Sequence, residues 1–249
     1  MSGILATQSL TRRFSGVIAV SDLSFELQTG QLCGLVGPNG SGKSTTMHLL
    51  SGFLRQNAGS ISLFGRVVDN LPVDKRARLG VGRTFQSPSV FKELSAFENV
   101  LAGCHPLALS RGAARNPGSA ALKEKSHMAL ATVGLASVAD KAAGELSYGQ
   151  QKLLDLARSL VAEPKLLLLD EPAAGLSPEL VIRLTALIQD LRTRGTTILF
   201  AEHNMKMVMG VCDRIIVLNF GKLIADGTPA EIRQHPEVIR AYLGAGHAA

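Results

Sequence analysis

The sequence predicts an α/β domain with a mostly parallel sheet, an antiparallel β patch beside it and an inserted helical subdomain. Three observations carry this. Apolar runs alternate with helical patterns over most of the 249 residues. Two of those runs, LCGLV (32–36) and KLLLL (165–169), are nearly continuous in apolar residues, as strands buried on both faces must be. Between Cys104 and Gly144 the strand signal stops and alanine becomes common, which marks the helical insertion.

Taken in order, strands are expected at 4–10 and 22–27, short and separated by turn residues; with 59–64 they should form the antiparallel patch. The strand at 32–36 leads into a glycine-rich stretch and a helix at 43–52. A strand at 80–85 precedes helices at 95–103, 120–133 and 150–162. The remainder alternates: strand 165–169, helix 178–194, strand 196–201, helix 204–211, strands 214–219 and 222–226, then helices 229–234 and 236–243. Residues 1–249 are expected as a single domain, with 87–144 the inserted part of the helical subdomain and 145–162 its continuation. Residues 228–249 form a carboxyl-terminal helical cap and tail, and the last helix is either a cap or a docking element for a sister subunit. The polar loop SRGAARNPGS (110–119) holds Arg111 and Arg115, which are either solvated or placed against lipid headgroups.

Composition narrows the classes. With 46% apolar residues the chain can bury a sizeable core. A net charge of +6 suits polyanionic partners such as nucleotides, or else an ordinary basic surface. Nucleic acid is not expected, because aromatic content is 4%, Trp is absent and no dense basic run is interleaved with aromatics. Cys33, Cys104 and Cys212 lack metal-ligand or disulfide-framework spacing, which fits a reducing cytosol. No secretory leader and no apolar window long enough to span a bilayer are evident, so work at a membrane would require another chain to hold this one there.

Between a strand and a helix stands GPNGSGKST, with Gly37, Gly42, Lys43 and Ser44 in GxxxxGK[ST] spacing. Glycines 37, 40 and 42 let the backbone curl and turn its N–H groups toward phosphate oxygens, and the helix start adds its positive end. Gly37, Pro38, Asn39, Gly40, Ser41, Gly42, Lys43, Ser44 and Thr45 therefore form a phosphate cradle. Lys43 is expected to reach the β- and γ-phosphates and Ser44 to ligate Mg²⁺, as in a P-loop NTPase core; a glycine turn that merely joins strand to helix is the alternative.

The run KLLLLDEP ends a buried strand in two acids, which otherwise costs stability. Asp170 is assigned to Mg²⁺ and Glu171 to orienting the attacking water as base; an acidic helix cap is the alternative. Gln86 and His203 also follow apolar strands, and ligands gather at the carboxyl ends of parallel strands, so all four should converge with the cradle. Taken singly, Gln86 reads as a loop residue and His203 as a helix cap. ELSYGQQK (145–152) opens a further helix: Ser147 caps it, Gly149 admits a close anion, and Gln150 and Gln151 extend the donors, giving a second phosphate site.

In combination, GPNGSGKST, LSYGQQ and LLLLDEP resemble the Walker A, signature and Walker B motifs of the ABC transporter ATPases, over nearly the whole chain. The resemblance implies the ABC ATPase fold, ATP and Mg²⁺ as cofactors, and two composite sites in which the signature of one subunit closes over the cradle of another. It implies that Phe14 stacks on adenine, with a core or turn phenylalanine as the alternative. It further implies that Gln86 contacts Mg²⁺ and the attacking water, that His203 contacts the γ-phosphate, and that AGLS (174–177) crosses between subunits. Tyr148 and Ser177 depart from the glycine and aspartate usual at their positions.

The segments GRTFQ, LSYGQQ, DEPAAGLSPE, AEHNM and VIRAYLG resemble the larger ATPase of branched-chain amino-acid, amide and urea importers. The implied partners are polytopic permease subunits, a sister ATPase or a second copy of this chain, and indirectly an external substrate-binding protein. The implied location is peripheral, on the cytoplasmic face of the plasma membrane. Alternatives are a non-transport ABC ATPase acting on nucleic acid or ribosomes, and the ATPase of a lipid or polysaccharide exporter.

Overall fold

The computed structural model of the chain describes residues 3–104 and 120–243. Its strands are β1 (Leu5–Phe14), β2 (Val17–Leu27), β3 (Leu32–Val36), β4 (Ala58–Leu63), β5 (Arg66–Val67), β6 (Val81–Arg83), β7 (Leu166–Asp170), β8 (Thr197–Glu202), β9 (Arg214–Asn219) and β10 (Lys222–Gly227). Its helices are α1 (Lys43–Ser51), α2 (Val73–Leu79), α3 (Ala96–Gly103), α4 (Ala120–Thr132), α5 (Tyr148–Leu160), α6 (Pro178–Thr193), α7 (Met205–Val211), α8 (Pro229–Gln234) and α9 (Pro236–Leu243).

Two sheets divide the strands. The larger runs β10-β9-β3-β8-β7-β6, parallel except for the β9–β10 hairpin at its edge. Every residue of β3, β7 and β8 is buried. Alternate residues serve opposite faces: Leu167, Leu169, Ile198 and Phe200 join one core, while Leu166, Leu168, Leu199 and Ala201 join the other. Leucine-rich runs without alternation are the expected solution for a sheet covered on both sides. The smaller sheet, β2-β1-β4-β5, is antiparallel throughout and covers one of those faces.

Registers in the parallel sheet set the site. Val36 pairs with Glu202, and Asp170 with Ala201, so β3, β7 and β8 all end at one edge. On the other face α3 and α4 pack with α5 through Ala96, Val100, Leu122, Leu130, Leu154 and Ala157, and Phe97 stacks on His127. The expected polar loop 110–119 and the tail 244–249 lie outside the described residues.

Several boundaries differ from the sequence reading. Strands β1 and β2 are longer than expected, reaching Phe14 and starting at Val17, because their exposed ends still pair with each other across a two-residue turn. The strand expected at 80–85 keeps only Val81–Arg83. Among strands and α-helices two were not foreseen, the two-residue β5 and helix α2, whose VDKRARL carries four charges in seven residues and no apolar stripe.

Helix α2 earns its place through Arg76, which is 1% exposed. Its guanidinium donates to the carbonyls of Leu49 and Leu50, at the end of α1, and to those of Val68 and Leu71, over 2.8–2.9 Å. The charge thus satisfies carbonyls that the helix end leaves open. Arg76→Met is expected to lower stability by about 2–4 kcal/mol, since it strands several buried carbonyls; a lower urea midpoint at unchanged slope checks it.

All three cysteines are free and buried, with Cys33 pushed up to about 12 by burial and Cys212 raised further. They are inert packing residues rather than ligands or nucleophiles.

Candidate functional site

The loop between β3 and α1 is built for an anion. Gly42 precedes α1 in the left-handed region, φ 101°, and a Cβ there would lie 2.4 Å from the Ala19 carbonyl. At Gly37 a Cβ would lie 2.2 Å from the Leu218 carbonyl and 2.5 Å from Ser41 Oγ. Side chains are excluded at both positions, so the loop can wrap tightly with its amides toward the start of α1. The β9–β10 turn clamps it, with Gly221 N donating to the Ser41 carbonyl at 3.0 Å and Gly221 O accepting from Ser21 N at 2.8 Å.

A cleft of about 480 Å³ opens over this loop. Residues Asn39 to Thr45 line it together with Gln86, Glu171, Phe14, Val17 and Ile18. Phe14 is 40% exposed, which excludes the core reading, and the Arg12 guanidinium lies 4.5 Å from its ring centre. Phe220, at the tip of the β9–β10 turn, also lines the cleft and is 83% exposed; it escaped sequence reasoning because a lone turn phenylalanine carries no motif.

Lys43 is buried, and its Nζ donates to the carbonyls of Gly37 at 2.7 Å and Pro38 at 3.1 Å. Burial pushes its pKa down, opposed by Glu171, Asp170 and Glu202. Ser44 Oγ donates to Asp170 Oδ1 at 3.2 Å. Burial pushes the Asp170 carboxyl up, opposed by Arg83 and by that hydroxyl. Arg83 Nη2 lies 3.6 Å from Asp170 Oδ2, with its guanidinium 4.6 Å from the Phe85 ring centre and 5.2 Å from that of Phe53. Arg83 was missed because only the pairing of β6 with β7 brings it beside Asp170.

Glu171 follows Asp170 with φ 46°, a left-handed backbone that disfavours a residue with a side chain. Its Oε2 accepts from Gln86 Nε2 at 3.0 Å, and its Oε1 lies 3.9 Å from His203 Nδ1. Glu202, fully buried beneath, accepts from the amides of Ala173, His203 and Asn204. That carboxylate fixes the loops after β7 and β8 relative to each other, and sequence reasoning passed it over as the end of a strand. Cradle, Asp170, Glu171, Gln86 and His203 therefore meet at one sheet edge.

Helix α5 begins elsewhere. Neither Ser147, Gly149 nor Gln150 lines the cleft. Ser147 caps α5, accepting from Gln150 N at 3.3 Å, while Gln150 Oε1 accepts from Ser147 N at 3.0 Å. Gln151 Nε2 donates to the carbonyls of Ala143 and Leu146. The expectation that both glutamines extend the donors is corrected for Gln151 alone, whose amide is engaged in closing the helix start; Gln150 gives only its Oε1 to the cap. Gly149 also has a packing reason, because a Cβ there would lie 2.6 Å from Leu180 Cδ1 on α6.

A glycine-rich cradle at the head of a parallel strand, with a serine, two acids, a glutamine and a histidine converging on it, defines a nucleotide-binding ATPase cassette. The profile of the family described as ABC transporter matches residues 20–174, and one described as branched-chain amino acid ATP-binding cassette transporter matches residues 222–248. The chain belongs to the ABC transporter ATP-binding proteins. It is 43% identical over 249 residues to the high-affinity branched-chain amino acid transport ATP-binding protein LivG of Salmonella typhimurium, covering 97% of this chain and 98% of that one. It is 38% identical over 244 residues to the lipopolysaccharide export system ATP-binding protein LptB of Acidithiobacillus ferridurans, covering 98% of each. Among solved structures, the ADP conformation of MJ1267, an ATP-binding cassette of an ABC transporter, superposes with a TM-score of 0.86 at 30% identity, covering 98% of this chain and all of that one.

Proposed function

We propose that the chain is the ATP-hydrolysing subunit of an importer of branched-chain amino acids or related amino acids and amides. The observation that carries the chemistry is that Lys43, Ser44, Gln86 and Glu171 line one cleft, with Asp170 hydrogen-bonded to Ser44 and His203 beside Glu171. The cargo class rests on the greater identity to LivG than to LptB and on the carboxyl-terminal match.

The residues divide the work. Phe14 faces the adenine, while Lys43 and the amides of Asn39 to Thr45 take the phosphates. The Ser44 hydroxyl, 3.2 Å from the Asp170 carboxylate, and the Gln86 amide offer oxygen donors of the kind Mg²⁺ prefers. Bound there with phosphates and waters, Mg²⁺ would neutralise charge on the β- and γ-oxygens. Glu171 accepts a proton from water as the water oxygen attacks the γ-phosphorus and the bond to the β-γ bridging oxygen breaks, releasing ADP and phosphate. Gln86 holds one carboxylate oxygen of Glu171, and His203 stands by the other.

Because Ser147, Gly149 and Gln150 lie away from the cleft of their own chain, a second subunit supplies the signature to this site. We assign that role to a sister ATPase, or to a second copy, closing in an ATP-dependent dimer under permease subunits at the cytoplasmic membrane face. No helix among the described residues is long and apolar enough to cross a membrane, so the permease is the membrane anchor in this reading. An external binding protein would deliver cargo to the permease.

Co-purification of the tagged chain from its native membranes in mild detergent tests this. Polytopic permeases with a second ATPase are expected; a membrane-free complex with nucleic acid or ribosomes would overturn the transport assignment while leaving the ATPase chemistry intact.

A further inference from the structure

Lys152, the last residue of ELSYGQQK, is 8% exposed and reaches across from α5 to the loop that follows Glu171. Its Nζ donates to the carbonyl of Glu171 at 2.7 Å and to that of Ala174 at 2.8 Å, with the Pro172 carbonyl at 3.5 Å. Among the described residues it makes no ion pair. Burial opposes this ammonium, while the carboxylates of Glu202, Glu171, Asp170 and Asp155 favour its charge. What the charge obtains is control of a strained residue. Glu171 holds a left-handed backbone, φ 46°, and such conformations persist only where the surroundings over-determine them. The Glu171 amide is anchored on the Ala201 carbonyl at 2.9 Å, and its carbonyl is anchored by Lys152.

The same contact region continues into the segment 174–177. Tyr148, one turn before Lys152 on α5, lays its ring on Gly175, where a Cβ would lie 2.9 Å from Tyr148 Cε1. Lys152 Nζ is 5.8 Å from the centre of that ring. Gly149 meets Leu176 of the same loop and Leu180 in the first turn of α6. The start of α5 and the loop after Glu171 are thus one packed unit.

We propose that Lys152 is a positioning residue for Glu171: it locks the peptide that carries the base and makes the orientation of the signature helix set the base's position. The proposal rests on Glu171 being the base of an ATPase. It also gives the chain's signature, offered to a neighbouring subunit, a rigid link to the hydrolytic machinery of its own cleft. A shift of α5 moves the Glu171 carbonyl with it, because two short charge-assisted hydrogen bonds span the gap.

The test measures Mg-ATP hydrolysis by the complex co-purified on the tagged full-length chain, with that chain as wild type, K152M or K152R, each with and without E171Q. K152M is expected to lower kcat at least tenfold with KM and fluorescent-ATP affinity within about twofold, and K152R, which keeps charge and donors, to recover most of the rate. With Glu171 already replaced, K152M should lower the residual rate by less than twofold, because the residue acts through Glu171. Equal losses in both backgrounds, a rise in KM that accounts for the loss, or K152R no better than K152M would each overturn the proposal. If K152M does not fold, K152Q carries the same cycle, its shorter arm reaching one carbonyl at most. An E171Q complex that retains hydrolysis would instead sink the reading of Glu171 as base.

Discussion

Replacing Glu171 by glutamine is expected to reduce ATP turnover by about 10²- to 10⁴-fold while ATP still binds, so that the chain collects as an ATP-bound dimer. The amide keeps the shape of the side chain. It can still face Gln86 and His203, which stand 3.0 and 3.9 Å from the two carboxylate oxygens. What it cannot do is take a proton from water. The hydrogen bonds of the phosphate-binding residues Lys43 and Ser44 run to Gly37, Pro38 and Asp170 rather than to Glu171. Phosphate release and gel-filtration mass with and without Mg-ATP read the two halves of this expectation separately. Turnover within tenfold of wild type would move the base to another residue.

This separation of binding from chemistry was legible in the sequence because each part is local. A glycine-spaced loop between strand and helix, and a leucine strand ending in Asp170 and Glu171, state their chemistry without tertiary information. Convergence was legible too, since parallel strands end at a common edge and Val36, Asp170 and Glu202 lie in neighbouring registers there. What escaped was long-range and electrostatic. Arg83 meets Asp170 only through the pairing of β6 with β7, and Arg76 is buried by carbonyls contributed by α1 and by residues 68 and 71. A charged heptapeptide such as VDKRARL gives no periodic signal, although it folds as α2 to deliver that guanidinium.

The signature shows the limit of motif reasoning most clearly. Gln150 and Gln151 were expected to extend the donors, yet Gln151 spends its amide N–H groups tying α5 to the turn before it, while Gln150 completes a capping box through its Oε1 alone. Polar side chains at a helix start have the helix's own open groups as competitors for any ligand. The donors that remain for an anion are the backbone amides, the Ser147 hydroxyl and the Gln150 Nε2, gathered where the α5 dipole is positive. Glycine at 149 serves that arrangement twice, by leaving the amide approachable and by admitting Leu180.

Gly149→Asp should therefore abolish hydrolysis without emptying the cleft of its own chain. The new side chain would start 2.6 Å from Leu180 Cδ1, the flexible tip of a side chain that can give way, so the fold survives. Its carboxylate would stand where a neighbouring subunit's γ-phosphate arrives in the dimer proposed above, opposing like charge in a site short of water. ATP affinity is expected to stay within about twofold of wild type, because none of the cleft residues changes, while kcat falls by about a hundredfold or more. A second arm locates the fault. Mixing G149D with the Lys43→Ala variant permits one composite site with an intact cradle from G149D and an intact signature from the Lys43→Ala chain, so turnover should return in the mixture though each variant alone is inactive. Recovery requires subunits to share a site; its absence under conditions where mixed dimers form would show that signature and cradle act within one chain.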